Sequence, residues 1–365
     1  MSEWQTFCLK DLGKIVGGAT PSTNNPKNYG NKIAWITPKD LSTLQGRYIK
    51  KGSRSISRLG FKSCSCVLLP KHVILFSSRA PIGYVAIAKK RLCTNQGFKS
   101  IIPNKKIYFE FLYYLLKYHK DNISNIGGGT TFKEVSGATL GLFKVKIPPT
   151  YYEQQKIART LSILDQKIEN NHKINELLHT LAYKIYEYYF KYKPKNAKLE
   201  QIIIENPKSS IMVKNAQKTQ DKYPFFTSGD NILSYPKAII DGRNCFLNTG
   251  GNAGIKFYVG KASYSTDTWC ICANKFSDYL YLLLSSIKNH INQSFFQGTS
   301  LKHLQKNLLK KYPIYMPSAH EIKKFNQIII PLLTLISINT RTSKKLEQIR
   351  DFLLPLLLKQ QVKPQ

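Results

Sequence analysis

Arg47, Lys50, Lys51, Arg54, Arg58 and Lys62 place six cations within sixteen residues of a Ser- and Gly-rich stretch. Long cationic side chains on such a loop suit contact with phosphate oxygens, and a solvated lysine face has the same composition. A second group, Lys214, Lys218 and Lys222 beside Tyr223, stands at the matching place further along. Sharper chemistry attaches to Ser77-Ser78-Arg79 and to Arg243-Asn244. Ser, Arg and Asn at strand ends hydrogen-bond base edges, and tight turns use the same residue types. Lys89 stands next to last in the run APIGYVAIAKK and Asn252 opens its counterpart NAGIKFYVGK, so both join the candidate set. Thr130 in GGGTTFK and Thr299 in QGTSLKH lie in Gly-rich loops. Such loops present backbone N–H groups to an anion, or use Gly for positive φ.

Catalytic chemistry is not nominated. No Asn/Asp-Pro-Pro-Tyr/Phe stretch offers an acceptor for an adenine amino group, and no Phe-x-Gly-x-Gly stretch suits S-adenosylmethionine. Glu321-Ile322-Lys323 lacks a preceding strand Asp to share a metal, and reads as a helix start where an acid suits the dipole. The seven His show no ligand spacing. Cys64-Ser-Cys66 and Cys270-Ile-Cys272 sit in strand-like runs without CxxC, so buried free thiols are expected in place of a metal site.

The 365 residues carry 46 Lys and 9 Arg against 21 acids, a formal charge of +34, which points to a polyanionic partner. An AT-rich genome also enriches lysine, but that bias would spread evenly, and the charge does not. Residues 1–149 hold 24 basic and 6 acidic side chains, and 191–317 hold 18 and 7, whereas 150–190 balance at 5 and 5. The polyanion should therefore meet two regions separated by a near-neutral one. No signal-peptide core or membrane-length apolar run is present, so a soluble cytoplasmic protein is expected.

Those regions are copies. GTTFK at 129–133 matches GTSLK at 298–302, Ile147-Pro148 matches Met316-Pro317, and Glu153 matches Glu321. Gly83 falls on Gly254, and Asp40 on Asp230. Short β-branched runs punctuated by Gly, Pro and Asn make each copy α+β. A long amphipathic helix follows each copy. Ile157, Leu161, Leu164, Ile168 and Leu178 step along the first, and Phe325, Ile329, Leu332, Ile336 and Leu346 along the second. Asn171, Asn175 and Asn339 interrupt the stripes at equivalent places, as register-fixing Asn do in helical seams. Pro331 and Pro355 should kink the second helix. The domain boundaries expected are 1–149, 150–193, 194–317 and 318–365. At 1.5 Å per residue a helix of about 38 residues is ~57 Å long, so an antiparallel pair would hold the two globular parts apart.

GKIVGGATPS, AWITPKDL, ISRLGFKS, SSRAPIGYVAIA, TNQGF and above all IPPTYYEQQKIARTLSILDQKI resemble the DNA-specificity subunit of type I restriction-modification systems. The resemblance covers essentially the whole chain, although the second copy lacks the second Pro after Pro317 and the Gln after Glu321. It implies two globular target-recognition domains in pseudo-two-fold repeat, separated by two long antiparallel coiled-coil helices. Each domain would read one half of a split double-stranded DNA site. The helices, through Glu153, Gln154 and the apolar stripes, would set the gap and dock two methyltransferase (modification) subunits, with restriction subunits joining them. The chain itself would be non-catalytic. S-adenosylmethionine, ATP and magnesium would belong to the partners. Self-association through the seams stays open, as do two rivals, a lysine-rich RNA-binding scaffold and a structural coiled coil with basic ends.

Overall fold

The computed structural model of the chain describes residues 3–129, 133–216 and 222–364. The chain forms two compact units, residues 1–170 with 343–365, and residues 171–342. Four helices position the site: α1 (Phe109–Asn125), α2 (Tyr151–Tyr186), α3 (Ser277–Ser286) and α4 (Ala319–Leu358).

The first unit contains β1 (Gln5–Cys8), β2 (Gly13–Gly17), β3 (Tyr29–Ile36), β4 (Tyr48–Ile49), β5 (Arg54–Ile56), β6 (Ile74–Phe76), β7 (Val85–Ala88), β8 (Cys93–Thr94), β9 (Lys99–Pro103) and β10 (Lys144–Ile147). They form sheets of order β2-β9-β6-β7-β4, β5-β3-β8 and β1-β10. The run HVILF becomes β6, a central strand buried on both faces, which is why it does not alternate. On this sheet lies α1, whose Phe111, Leu112, Tyr114, Leu115 and Leu116 are buried. Ile157 and Leu161 of α2 and Leu354 and Leu357 of α4 complete the same core. Asp165 of α2 bonds Arg350 of α4, while Tyr152 and Ile157 line one groove with Leu357 and Gln360, so α2 and α4 run antiparallel here.

Buried charge holds this packing together. The Arg47 guanidinium lies 3.1 Å from Glu110 of α1, and 3.1 and 3.9 Å from Glu169 and Asp165 of α2. Arg350 of α4 reaches Asp165 at 2.7 Å, and the Tyr114 hydroxyl donates to the same carboxylate at 2.6 Å. Gln154 is a further clamp: its Oε1 accepts from the Tyr108 N–H at 2.8 Å, and its Nε2 donates to the Lys106 carbonyl at 3.0 Å.

The second unit contains β11 (Ala197–Lys198), which pairs with the strand Pro313–Ile314, and β12 (Ile204–Glu205), β13 (Tyr223–Phe226), β14 (Leu233–Tyr235), β15 (Arg243–Asn248), β16 (Ile255–Val259), β17 (Ser263–Tyr264) and β18 (Thr268–Cys272), in sheets of order β12-β18-β15-β16 and β14-β13-β17. Its core gathers Tyr279, Leu280 and Leu283 of α3 with Phe190, Phe325, Ile329 and Leu333. Here too α2 and α4 run antiparallel, with Asn339 Nδ2 donating to Asn175 Oδ1 at 2.9 Å, so the seam Asn found by periodicity bond each other. α4 stays helical through Pro331 and Pro355, while α2 gives way at its end to a π-helical turn, Glu187–Lys191.

The two units repeat at the level of single hydrogen bonds. β3 and β8 pair in parallel with Trp35 opposite Cys93; β13 and β17 do so with Phe225 opposite Ser263. That register puts Asp40 on Asp230, as the sequence comparison has it. It shifts the glycine match by one residue, because the Ser77 N–H bonds the Tyr84 carbonyl whereas the Asn248 N–H bonds that of Gly254. Gly254 therefore corresponds to Tyr84.

Both long helices also start alike. Thr150 Oγ1 and Glu153 Oε2 are 3.1 Å apart, and the Glu153 N–H bonds Thr150 Oγ1. At α4 the Ser318 N–H bonds Glu321 Oε2 at 2.9 Å, and the Tyr315 hydroxyl donates to the same carboxylate. With the Glu321 N–H bonding Ser318 Oγ at 3.3 Å, the α4 start is a full capping box, and the α2 start has the Thr150 half of one. The Ser318 N–H and the Tyr315 hydroxyl lower the Glu321 carboxyl from 4.5 to about 2. Its stabilising contribution is complete above the ordinary value and is lost as pH falls through the folded one. Glu321→Gln is therefore expected to cost about 1 kcal/mol at pH 7, a gap that closes between pH 5 and about pH 2 in paired urea titrations.

Candidate nucleic-acid interface

In the first unit the basic loop is held by a carboxylate. Asp40 Oδ2 accepts from the Thr37 N–H and hydroxyl at 2.8 Å each, and Asp40 Oδ1 accepts from the Ser53 N–H at 2.7 Å. A Cβ on Gly52 would stand 2.7 Å from both Asp40 Oδ2 and the Trp35 carbonyl, so only Gly fits between them. Lys50 and Lys51 are exposed on this loop, Arg54 at the start of β5, and Arg58 and Lys62 on the short helix Arg58–Lys62 that follows. The structure thus keeps these five in one solvent-facing stretch. Lys89 is exposed as well.

Arg47 leaves the set. It is 3% exposed and committed to Glu110, Glu169 and Asp165. Ser78 is fully buried with its hydroxyl unpartnered among the described residues, so it cannot touch a base edge, and half-buried Arg79 sits 3.6 Å from Glu134.

In the second unit Lys214, Lys222, Asn252 and Thr299 are exposed, and Tyr223 is partly covered by the Lys222 ammonium, 5.4 Å from its ring centre. Arg243 and Asn244 correct the sequence reading. Arg243 Nε donates to Asp278 Oδ2 at 2.6 Å and Nη1 to Thr334 Oγ1 at 2.9 Å. Asn244 is buried, its Oδ1 accepting from Asn206 at 3.0 Å. Both hold β15 in place. Asp278 occupies in α3 the position of Glu110 in α1, so each unit ties its sheet to its helix with an Arg–carboxylate pair. Thr130 and Lys218 lie outside the described residues. Gly129 and Gly298 both have positive φ, and a Cβ on Gly298 would stand 2.3 Å from the Leu301 carbonyl, so conformation explains these glycines.

The sequence reading assigned no role to several residues and turns that the structure fixes firmly. Lys256 is one: its ammonium, lowered by burial, donates to the Thr227 carbonyl at 2.9 Å and to Asn248 Oδ1 at 3.0 Å beneath the Thr227–Asp230 turn. The turns at Asn95–Gly97 and Ser265–Asp267 are others. No apolar period or charge cluster marks them.

The helix-docking set divides differently from the sequence expectation. Glu153 caps its own helix, and Gln154, Ile157, Leu161, Ile168, Phe325, Ile329 and Ile336 are buried within the chain, with Leu164, Leu178, Leu332 and Leu346 half-buried. The fully buried members of the set cannot meet a separate subunit, whereas Leu164, Leu178, Leu332 and Leu346 keep part of their surface exposed. The exposed apolar residues of the same helices are Ile163, Ile174, Leu177, Leu181, Ile328, Ile330, Leu335, Ile338, Ile349 and Phe352. Among the described residues no group of three or more His, Cys, Asp or Glu could hold a metal ion. No described helix is long and apolar enough to cross a membrane.

Comparison with known proteins agrees with this architecture. Residues 1–180 and 195–348 match the type I restriction modification DNA specificity domain. The chain is 33% identical to the type I restriction enzyme MjaIX specificity subunit of Methanocaldococcus jannaschii, over 98% of this chain and 93% of that one. It is 30% identical to the HindI specificity subunit of Haemophilus influenzae over 46% of this chain and 37% of that one. Its fold is similar to the crystal structure of a type I restriction-modification S subunit from M. genitalium, with a TM-score of 0.64 at 17% identity, covering 97% and 96% of the two chains. Two matched domains and a full-length relative at this identity place the chain in the family of type I restriction-modification DNA-specificity subunits.

Proposed function

We propose that the globular parts, residues 1–149 and 194–317, each read one half of a bipartite duplex DNA target, while the helical stretches 150–193 and 318–365 set the distance between halves and dock two methyltransferase subunits. The chain contributes recognition and no catalysis. S-adenosylmethionine, ATP and magnesium act on the partner subunits, restriction subunits join the assembly, and the complex works in the cytoplasm. What supports this reading most is the repetition of one construction in both units: a hydrogen-bonded turn at the ends of paired parallel strands, with exposed cations on the neighbouring segment. Duplex DNA has its own dyad, so two like modules on one chain suit opposite strands of a split site.

Exposed Lys50, Lys51, Arg54, Arg58, Lys62 and Lys89 in the first unit, and Lys214 and Lys222 in the second, contact phosphates. Leu177, Leu181, Leu335, Ile338 and their exposed apolar neighbours carry the contact with the methyltransferase subunits, since apolar side chains left uncovered on a helix mark an interface. Tagged chain purified from its native cell is expected to bring down a methyltransferase at two copies per chain by native mass spectrometry. Recovery of the chain without any methyltransferase would contradict the docking role.

A further inference from the structure

The ladder between β3 and β5 breaks where the sequence stops resembling the family. Ile56 of β5 stands opposite both Tyr29 and Ile33 of β3, so Gly30, Asn31 and Lys32 leave the ladder as a three-residue bulge, and all three are exposed. Bulges of this kind re-aim side chains next to functional sites. Residues 23–33 fall between GGATPS and AWITPKDL, outside the runs that carry the family resemblance. The bulge therefore belongs to the part of the first unit that can differ with the target.

Its frame, by contrast, is built from the family-like runs. The Tyr29 hydroxyl donates to the Pro21 carbonyl at 3.0 Å, and its ring meets Trp35 edge-on at 6.2 Å between centres. Trp35 Nε1 in turn donates to the Ala19 carbonyl at 3.0 Å. On the other flank the Ser57 N–H donates to the Asn28 carbonyl at 3.0 Å, and the Ser57 hydroxyl donates to the Lys27 carbonyl at 2.6 Å. Asn28 is 3% exposed, with Nδ2 donating to the Ser22 carbonyl at 3.0 Å. Both feet of the bulge are thus fixed. Among the described residues the Asn31 and Lys32 side chains have no hydrogen-bond or ion-pair partner, so both are free to meet a ligand.

Cations stand at the same feet. The Arg54 guanidinium lies over the Tyr29 ring, 5.7 Å from its centre. A Cβ on Gly30 would stand 3.6 Å from that of Ser57, and Ser57 Oγ caps the short helix Arg58–Lys62 by accepting from the Gly60 N–H at 3.0 Å. The helix bearing exposed Arg58 and Lys62 therefore starts beside the bulge. Backbone contacts that fix the register, next to a polar side chain with free donors and acceptors, are what base readout needs.

We propose that the Gly30–Lys32 bulge is a base-reading element of the first half-site, with Asn31 its specificity-determining residue and Lys32, Arg54 and Arg58 on the flanking phosphates. The inference rests on the duplex-reading function proposed above. A carboxamide offers one donor and one acceptor, which match N7 and the N6 amino group of adenine in the major groove. A variable element on a frame of family-like residues also explains how the first domain can change its target without changing its fold.

The test is a genome-wide methylation map of the native cell carrying the parent chain, Asn31→Ala or Lys32→Gln, each in complex with its own methyltransferase subunits, together with duplex binding across a salt series. Asn31→Ala is expected to make one position degenerate in one half-site only, with a roughly 10- to 100-fold loss of base preference there. The other half, the spacing and the salt slope should stay as in the parent. Lys32→Gln is expected to keep the motif and lower the slope of log affinity against log salt by about 0.9. An unchanged motif for Asn31→Ala, or a uniform fall in methylation without a change of motif, would overturn the proposal while leaving the duplex-reading function standing. A urea midpoint for Asn31→Ala well below the parent's would show that Asn31 serves the fold, and would overturn it as well. A parent chain that supports no split motif would overturn both.

Discussion

Replacing Arg47 with Met is expected to destabilise the first unit by about 3–5 kcal/mol, the range for breaking a buried charge network by removing one partner. The magnitude follows from what stays behind. Glu110, Asp165 and Glu169 converge on one guanidinium that is 3% exposed, and of these three Arg350 reaches Asp165 alone, at 2.7 Å, while also pairing with Asp351. The Arg47 backbone N–H adds a 2.9 Å bond to Glu169 Oε1. Met has similar length, so packing is largely kept and the measured loss reports the charge. Urea titration of the parent, Arg47→Met, Glu169→Gln and the double variant checks this. A coupling energy of about 1–3 kcal/mol is expected, because side chains in one network are strongly non-additive. Additive effects would show that Arg47 does not act through these carboxylates. Because Glu110 belongs to α1 and Asp165 and Glu169 to α2, the same variant is expected to loosen the sheet from the long helix.

Neutralising Lys50, Lys51, Arg54, Arg58 and Lys62 to Gln together should weaken duplex binding by two or more orders of magnitude at about 150 mM salt. All five are exposed, and the one packing contact that the variant removes is that of the Arg54 guanidinium over the Tyr29 ring, 5.7 Å from its centre, so the loss reports mainly external contacts. Each phosphate neutralised contributes about 0.9 to the slope of log affinity against log salt, so a loss of up to about 4.5 in slope is expected. The half-site sequence should not change, since phosphate contacts position the protein without reading bases. Fluorescence anisotropy across a salt series, using the chain in complex with its methyltransferase subunits, measures both quantities. An unchanged slope would show that this loop faces away from the duplex.

How much of this was legible in the sequence depends on how local the determining contacts are. The long helices announce themselves because an apolar stripe at steps of three and four needs only one element to be seen, and the capping pairs Thr150–Glu153 and Ser318–Glu321 fall within a single turn. The repeat was visible in ordered matches, yet its register needed the strand ladders, which moved Gly254 from Gly83 to Tyr84. Arg47 and Arg243 were misread for a common reason. Their carboxylate partners lie 63 or more residues away for Arg47 and 35 away for Arg243, so a run of cations looked uniformly solvent-facing when one member was buried. The turns at Asn95–Gly97 and Ser265–Asp267 were given no role for the opposite reason: TNQGF stood out only for its resemblance, and the bonds that fix both turns come from carbonyls on other strands. The apolar stripes identified the helices correctly as elements that pack, but Ile157, Leu161, Phe325 and Ile329 spend their apolar surface inside the chain. The apolar side chains left uncovered are those between the stripe positions, among them Leu177, Leu181, Leu335 and Ile338.

The central claim is that one chain directs methylation to a two-part duplex site. Its most direct test is single-molecule sequencing of methylated bases in the native cell with and without the gene, followed by restoration with a chain whose first 149 residues are exchanged for those of a relative. The expected result is a split motif that vanishes on deletion and returns, after the exchange, with one half altered and the other half retained. A methylation map that is the same with and without the gene would contradict the account.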